Sequence, residues 1–440
     1  MIKKILCTVI APLAGAMLLS QICFAQHQFR RGLIWEDNRY NALPVLYGGG
    51  NLPPSKSLKS YYPKVVIQPQ TDNTGVAWAA IWNARTAAEA IACKQSDPQQ
   101  VLQLAFSPAY NYGLIRKNPD CKEEISIIDL LESMTIIGTP YFSEFREFCP
   151  GEIPADLFPL AKNKRLSGYI KLFNSKDAEN IKVQSVKNAL ASNRAVLAGL
   201  ICPPSFQMAQ DFWQPREPEP DRSHGGHAVC VVGYDDTRFG GAFEIVNTWG
   251  KDWATKGYTW IRYKDFANFV PYAFGLFQVG STSCNVSFEA NISFKLLSGE
   301  EMRAYAEGGE GKYKFAKSYS TGTTFTIQAN TSMPAYVYTV GIDPTGTAFT
   351  LFPRKPVTVP VSFSALSIPD DMPAVNLTDP PGKNEIFFIF SPHHIDQKDL
   401  TKVIKENTPG AVKWNERGLA FTGNLTAPVV MKVVLDQTRK

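Results

Sequence analysis

The sequence predicts an α+β fold up to about residue 280 and an all-β sandwich beyond it. Two observations favour this division. Helical patterns come first and short alternating strands follow, which is typical of a helical lobe beside an antiparallel β lobe. After about Gly280 the sequence turns to short strand patterns separated by turns, as in a β-sandwich. An apolar content of 44% can fill the cores of both bodies and excludes an intrinsically disordered chain.

Three segments carry the helical part of this prediction. The Ala-rich run from Val76 to Cys93 contains neither Gly nor Pro and predicts a largely buried helix. A second helix is predicted over residues 125–137 and stops at Gly138. A third, near residues 186–192, leads into the apolar run AVLAGLI. The runs HAVCVVGYD, AFEIVNTW and GYTWIRY then predict an antiparallel sheet.

The N-terminus has the pattern of a secretory signal. Lys3 and Lys4 precede an apolar run, and Cys23-Phe24-Ala25 resembles a cleavage site. We therefore expect an exported protein, secreted or held in the periplasm or cell envelope, with no membrane span once the signal is removed. The predicted domains are a signal peptide over 1–25, a polar lead-in over 26–60, a first folded domain over 61–280 and a sandwich domain over 285–440.

Charge and cysteine content restrict the partners and the compartment. A net charge of +5 is too small, for this length, to indicate nucleic acid or an anionic membrane as a partner. Two of the eight cysteines lie in the predicted signal, and the other six allow up to three disulfides in an exported protein. The alternative is that some are buried free thiols, Cys230 above all. The six are Cys93, Cys121, Cys149, Cys202, Cys230 and Cys284.

The strongest chemical motif surrounds His227. Gly225 and Gly226 lead into this histidine at the start of a predicted strand and leave space for a substrate backbone. Asn247, on the next strand, can accept a hydrogen bond from one imidazole nitrogen and thereby fix the tautomer of the ring. Trp249 would shield that hydrogen bond from water.

These residues resemble the histidine and asparagine half of the papain-like cysteine peptidase family. The stretch from Gln70 to Ala80 is similar to the start of the central helix in bacterial members, where the nucleophilic cysteine opens the helix. The resemblance covers about residues 60–280 and implies the two-lobe papain-like fold. It also implies His227 and Asn247 as retained catalytic positions, a peptide or protein segment as the partner in the interlobe cleft, and no cofactor or metal.

The chain departs from the family at the nucleophile. The position of the family's cysteine is Gly75, or Ala77 in an alignment shifted by two residues, and neither side chain can attack a carbonyl. The family's oxyanion-stabilising glutamine would fall on Pro69. A one-residue slip gives that role to Gln68 or Gln70, and Gln70 is taken as the candidate.

These residues predict a pseudopeptidase that binds a peptide or protein segment without cutting it. One alternative is an active hydrolase with an unorthodox nucleophile, for which Thr74 stands next to the vacant position. Another is an envelope scaffold or adhesion protein acting through residues 285–440, which resemble a bacterial domain of unknown function. His393 and His394 in that region predict a solvated turn rather than a metal pair, because no third ligand is evident. The oligomeric state is not predicted.

Overall fold

A computed structural model describes most of the chain. The described residues are 31–45, 47, 51–65, 72–279, 284, 287–332, 335–354, 366–369, 372, 374–406, 412–416 and 418–439. The predicted signal peptide over 1–25 and the candidate Gln70 lie outside them. Within these ranges, no helix is both long enough and apolar enough to cross a membrane.

The helices lie mainly in the first part of the chain. The α-helices are α1 (Asp37–Ala42), α2 (Gly75–Ala77), α3 (Thr86–Ala92), α4 (Pro98–Gln103), α5 (Pro108–Ile115), α6 (Ile127–Ile136), α7 (Leu157–Lys162), α8 (Glu179–Ala191), α9 (Pro204–Gln207), α10 (Tyr263–Phe269) and α11 (Leu400–Glu406). A π-helical segment, Trp78–Arg85, joins α2 to α3. Short 3-10 turns occur at Lys59–Tyr61, Arg222–His224, Arg238–Gly240 and Gln397–Asp399.

The first sheet is mixed and mostly antiparallel. Its strands are β1 (Leu33–Ile34), β2 (Ser55–Ser57), β3 (Ile125–Ser126), β4 (Gly168–Lys171), β5 (Ala195–Ile201), β6 (Phe212–Trp213), β7 (Gly226–Asp235), β8 (Ala242–Val246), β9 (Tyr258–Arg262) and β10 (Tyr272–Phe277). The spatial order is β4-β10-β5-β7-β8-β9-β6, with β1 and β2 pairing on β7, and β3 on β1. Strands β5 and β7 lie in the middle and are buried except for Asp235 at the end of β7, so the core holds His227 at the start of β7.

One continuous helix crosses this body, formed by α2, the π-helical segment and α3. It confirms the prediction of a buried helix from Val76 to Cys93, because almost every side chain in it is buried. A buried ion pair lies within it, with Arg85 Nη1 2.8 Å from Glu89 Oε2. Because each charge has its partner, the helix passes through the core without an isolated buried charge. Its first turns pack against β7.

The second domain is a sandwich of two sheets around its own core. Its strands are β11 (Phe288–Leu296), β12 (Ala304–Ala306), β13 (Lys312–Phe315), β14 (Tyr319–Ser320), β15 (Thr324–Thr331), β16 (Tyr336–Ile342), β17 (Ala348–Phe352), β18 (Leu366–Ile368), β19 (Val375–Asn376), β20 (Gly382–Ser391), β21 (Val412–Trp414), β22 (Ala420–Gly423) and β23 (Val429–Thr438). One sheet has the order β18-β15-β11-β22-β21 and the other β12-β13-β23-β20-β16-β17. Buried and exposed residues alternate along β11, as a strand covering one face of a core requires. The predicted fold class, α+β followed by an all-β sandwich, is confirmed.

Disulfides tie the chain at two places. Cys93, directly after α3, is bonded to Cys284 between the two domains, and Cys121 is bonded to Cys149 in the helical lobe. Cys202 and Cys230 are buried free thiols. Of the possibilities left open by the sequence, the chain therefore combines two disulfides with two buried thiols.

Candidate functional site

Gly75 opens the central helix. It is the buried first residue of α2, and Thr74 occupies the N-cap position without making a side-chain capping hydrogen bond. Ala77 lies two residues further along the same helix. Free backbone N–H groups at a helix start favour a negative charge nearby, which is the environment that activates a thiol. Glycine places no nucleophile in that environment.

His227 and Asn247 come together at the ends of adjacent strands. His227 is the second residue of β7, and Asn247 follows the last residue of β8. The imidazole Nε2 lies 2.7 Å from Asn247 Oδ1, and both side chains are buried. The predicted histidine–asparagine contact is therefore present in the structure.

The hydrogen bonds of Asn247 fix the tautomer of His227. Asn247 Oδ1 can only accept, and it also accepts the backbone N–H of Thr248 at 2.7 Å. Nε2 of His227 must therefore carry the hydrogen, so Nδ1 of the neutral ring is the acceptor. Nδ1 is buried and has no hydrogen-bond partner in the ranges that the structure describes. The neutral ring thus presents an unpaired acceptor nitrogen among the described residues.

Trp249 covers the histidine. Its ring stacks on the imidazole with 4.6 Å between ring centres, and Trp253 packs edge-on against Trp249. Both indoles are buried. Burial in this aromatic wall lowers the pKa of His227 to about 4, although the Asn247 hydrogen bond acts in the opposite direction.

This burial makes the protein sensitive to acid. The pKa of His227 is about 4 in the folded protein, and its ordinary value of 6.5 applies to the unfolded chain. Below about pH 6.5 the unfolded state therefore binds more protons than the folded state. The free energy of unfolding is expected to fall by about 3 kcal/mol from this group as the pH drops from 7 to 4. Denaturant titrations of wild type and His227→Gln at both pH values test this. The variant should lose about 3 kcal/mol less, and equal losses would contradict the prediction.

Residues 31–36, called the strap from here on, lie between the two lobes. Strand β1 of the strap pairs in parallel with β3 on the helical side and antiparallel with β7 on the other. The Gly32 N–H donates to Gly226 O at 3.3 Å, and Gly32 O accepts the N–H of Ile125 at 2.9 Å. An extended segment of the protein itself therefore pairs with both the helical lobe and the β lobe beside His227.

The two glycines before His227 make room for the strap. A Cβ at Gly225 would lie 3.1 Å from Cδ of Arg31, and one at Gly226 would lie 2.9 Å from the ring of Trp35. The sequence predicts that these glycines leave space for a substrate backbone. In the structure, the protein's own strap lies in that space.

Polar contacts beyond the strap hold it in place. Arg222 donates two hydrogen bonds to Asp37, at 2.6 and 2.8 Å, and Tyr272 donates a third at 2.7 Å. The Arg222 hydrogen bonds hold the pKa of Asp37 below its ordinary value. The Arg222 guanidinium also lies 4.9 Å from the ring centre of Trp35. Asp37 directly follows the strap, so these hydrogen bonds fix its C-terminal end in addition to the strand pairing.

None of the sequence predictions gives the strap a role, since residues 26–60 are predicted only as a lead-in. The one available signal is the apolar triplet Leu33-Ile34-Trp35 between two pairs of charged residues. The structure buries Leu33 and packs Tyr40 into the same core as the central helix. The domain boundary at residue 60 remains a prediction.

The other candidate nucleophiles are not arranged for catalysis. Thr74 Oγ1 and His227 Nδ1 are both buried without a hydrogen-bond partner, so they do not bond to each other. Cys230 donates its thiol to the carbonyl oxygen of Ala79 at 3.2 Å, and burial raises its pKa. Burial likewise raises the pKa of Cys202 to about 12. Neither thiol is activated at neutral pH.

The histidine pair of the second domain lies at the domain junction. His394 is exposed, as a solvated turn predicts, whereas His393 is half-buried in the wall of a pocket. In the part of the chain that the structure describes, no three His, Cys, Asp or Glu side chains are grouped so that they could hold a metal ion.

Comparisons with known proteins match both domains. The papain family cysteine protease model matches residues 160–270, which include His227 and Asn247. A domain of unknown function, DUF4384, matches residues 318–394. An uncharacterized peptidase C1-like protein of Acanthamoeba polyphaga mimivirus is 29% identical over 120 residues, which are 26% of this chain and 38% of that protein. The match thus spans well under two thirds of that relative.

Solved structures of cysteine proteases are also similar. Xylellain, a cysteine protease from Xylella fastidiosa, has a TM-score of 0.45 and 22% identity, covering 57% of this chain and 96% of its own. The digestive procathepsin L2 proteinase from Tenebrio molitor larval midgut has a TM-score of 0.47 and 18% identity, covering 60% and 83%. The family matches confirm the resemblance seen in the sequence: the chain is a papain-like cysteine peptidase homologue that also carries a DUF4384 domain.

Proposed function

We propose that this protein is an exported pseudopeptidase, which binds an extended peptide or protein segment in its interlobe cleft and does not cleave it. One observation carries the proposal. His227 keeps its asparagine partner and an unpaired Nδ1, while the helix packed against its strand opens with Gly75. The base is retained at a site that has no nucleophile.

The remaining side chains support the absence of cleavage. Of the six cysteines that the structure describes, four are bonded in disulfides, and the other two are buried thiols with raised pKa values. Thr74 is the nearest hydroxyl along the chain, and it is not hydrogen-bonded to His227. Removing one member of such a triad costs a factor on the order of 10⁴ to 10⁶ in rate, because its members act together.

The strap supports binding of an extended segment. Its backbone pairs with β3 and β7 at once, so both walls offer strand edges that another chain could use if the strap moved aside. Main-chain pairing of this kind accepts many sequences, and the side chains next to it select among them. The two disulfides support export, since disulfides persist in oxidising compartments.

A hydrolysis assay tests the proposal. Purified wild type, incubated with a mixture of fluorogenic peptides and with a thiol-trapping epoxide inhibitor, should give neither turnover nor a covalent adduct. Saturable hydrolysis that disappears in His227→Ala would contradict the proposal and favour an active hydrolase. Loss of such hydrolysis in Thr74→Ala would identify the threonine as its nucleophile.

A further inference from the structure

A pocket of about 440 Å³ lies at the junction of the two domains. Its walls come from the end of α6, the strand β4, the segment after α1, the start of β16 and the turn after β20. None of the residues of the His227 site lines it. The volume falls in the range of roughly 300 to 1,000 Å³ that is common for small-ligand sites.

Arg165 brings a positive charge to this pocket. Its Nε is buried and makes no hydrogen bond within the described part of the chain. The lysine next to it is paired, with Lys164 Nζ 2.9 Å from Glu144 Oε1, but no described residue forms a salt bridge with Arg165. A carboxylate in the pocket could accept charge-assisted hydrogen bonds from the guanidinium of Arg165, which lines it.

The charged side chains that line the pocket are cationic. Arg165 and Lys171 line it, and no described Asp or Glu does. Burial, together with the positive charges of Arg165 and Arg85, lowers the pKa of His393 to about 4. An anion is therefore the charge type that the wall would attract.

The outer edge of strand β4 lies beside this charge. β4 is the last strand of its sheet and pairs with β10, and Val45 bridges its outer edge at Lys171, two residues beyond Tyr169. Leu172 N–H donates to Ala273 O at 3.0 Å, so hydrogen-bonded pairs alternate from that point. Tyr169, opposite Leu276, is then in a non-hydrogen-bonded pair, and its N–H and C=O point away from β10. One donor and one acceptor are therefore directed to the outer edge, where the pocket lies.

Apolar side chains complete the pocket. Ile136, at the end of α6, is 70% exposed, which is unusual for so large an aliphatic residue. Leu43 lies on the segment after α1, and Tyr336 reaches across from the sandwich domain to donate to Ser167 O at 3.4 Å. An apolar group would be buried between these surfaces, next to the outer strand edge.

We propose that this pocket binds the C-terminal end of a peptide, with the free α-carboxylate on Arg165. The last amide of the peptide pairs with the backbone of Tyr169, and an apolar terminal side chain contacts Ile136 and Leu43. The combination of one cation, one donor–acceptor pair and an apolar wall matches the three groups of an apolar C-terminal residue. The proposal does not depend on binding in the cleft.

Calorimetric titration of the full-length protein with N-acetyl-leucyl-leucine tests it, and the C-terminal amide of the same dipeptide serves as the uncharged probe. We expect saturable binding of the acid and at least about tenfold weaker binding of the amide, since one charge-assisted contact is lost. Arg165→Gln should weaken binding of the acid by about tenfold or more, and Arg165→Lys by less. Arg146→Gln, at an exposed position in the same lobe, should change nothing.

Three results would overturn the proposal: no saturable binding of the acid to wild type, equal binding of acid and amide, or equal binding by wild type and Arg165→Gln. Thermal unfolding of each variant checks that it is folded. If Arg165→Gln does not fold, the comparison of acid with amide on wild type and on Arg165→Lys still decides the question.

Discussion

Replacing Gly75 by cysteine is expected to create a thiol that reacts with iodoacetamide well below pH 8. Combined with Gly32→Ala, a variant expected to release the strap, it should also restore peptide hydrolysis. The new thiol would stand at the start of α2, packed against the strand of His227, whose Nδ1 is free to take the proton. A cysteine at a helix start has a pKa of roughly 3.5 to 7.5 instead of about 8.5, and the negative thiolate would in turn favour the protonated form of His227. Hydrolysis should rise by about 10³-fold or more over wild type, because the missing triad member is the largest single loss.

The pH profile of alkylation distinguishes an activated thiol from an accessible one. For Gly75→Cys the rate should remain high between pH 8 and about pH 6. In Gly75→Cys/His227→Ala it should fall about tenfold per pH unit, as for an ordinary thiol. Cys202 and Cys230 contribute little, because both are buried and their pKa values are raised.

Ala77→Cys is the matched control. It lies on the same helix, two residues further along, and is the nucleophile position in the shifted alignment. We expect slow alkylation there and no gain of hydrolysis. If Ala77→Cys were the reactive variant, or if the Gly75→Cys profile were unaffected by His227→Ala, Gly75 would not be the nucleophile position.

The sequence is sufficient to predict the elements whose signals are local. The buried helix from Val76 to Cys93 follows from an Ala-rich run without Gly or Pro, and the His227–Asn247 contact follows from their places on consecutive strands. Residues close in the sequence determine such features. The order of helices, strands and sandwich follows in the same way from periodicity and turn residues.

Features that depend on distant pairings could not be predicted. β1 has only two residues, too few for a periodic pattern, and it exists because it pairs with residues near Ile125 and Gly226. The disulfide pairing is equally non-local, since six cysteines allow fifteen complete pairings. Arg165 and His393 meet only because the two domains pack together.

The role of the strap can be tested at a single glycine. Gly32 has a φ of +133°, and a Cβ there would lie 2.5 Å from the carbonyl oxygen of Asn73. Gly32→Ala therefore combines a strained backbone conformation with a clash against main chain, which cannot move without displacing the start of the central helix. The strap is expected to leave the cleft, and the burial of Leu33 is lost with it.

Gly240→Ala is the control variant, because it introduces the backbone strain without the clash. Gly240 has a φ of +78° and nothing within 4 Å of the added Cβ, so this variant should lose only about 1 kcal/mol of unfolding free energy. Gly32→Ala should lose about 3 kcal/mol or more, since a clash and the exposure of an apolar side chain add to the strain. Denaturant titration of both variants measures the difference.

Release of the strap should also open the cleft to other chains. In wild type a free peptide must compete with the strap, which is part of the same chain. Only molecules with an empty cleft can bind the peptide, so the apparent Kd equals the intrinsic Kd divided by the fraction of such molecules. A fluorescein-labelled peptide with the sequence of residues 29–36 should therefore bind Gly32→Ala at least about tenfold more tightly than wild type or Gly240→Ala, measured by fluorescence anisotropy. Equal affinities in all three proteins, although Gly32→Ala is less stable than Gly240→Ala by the expected amount, would mean that the strap does not compete for the cleft, and the proposed binding of extended segments there would lose its main support.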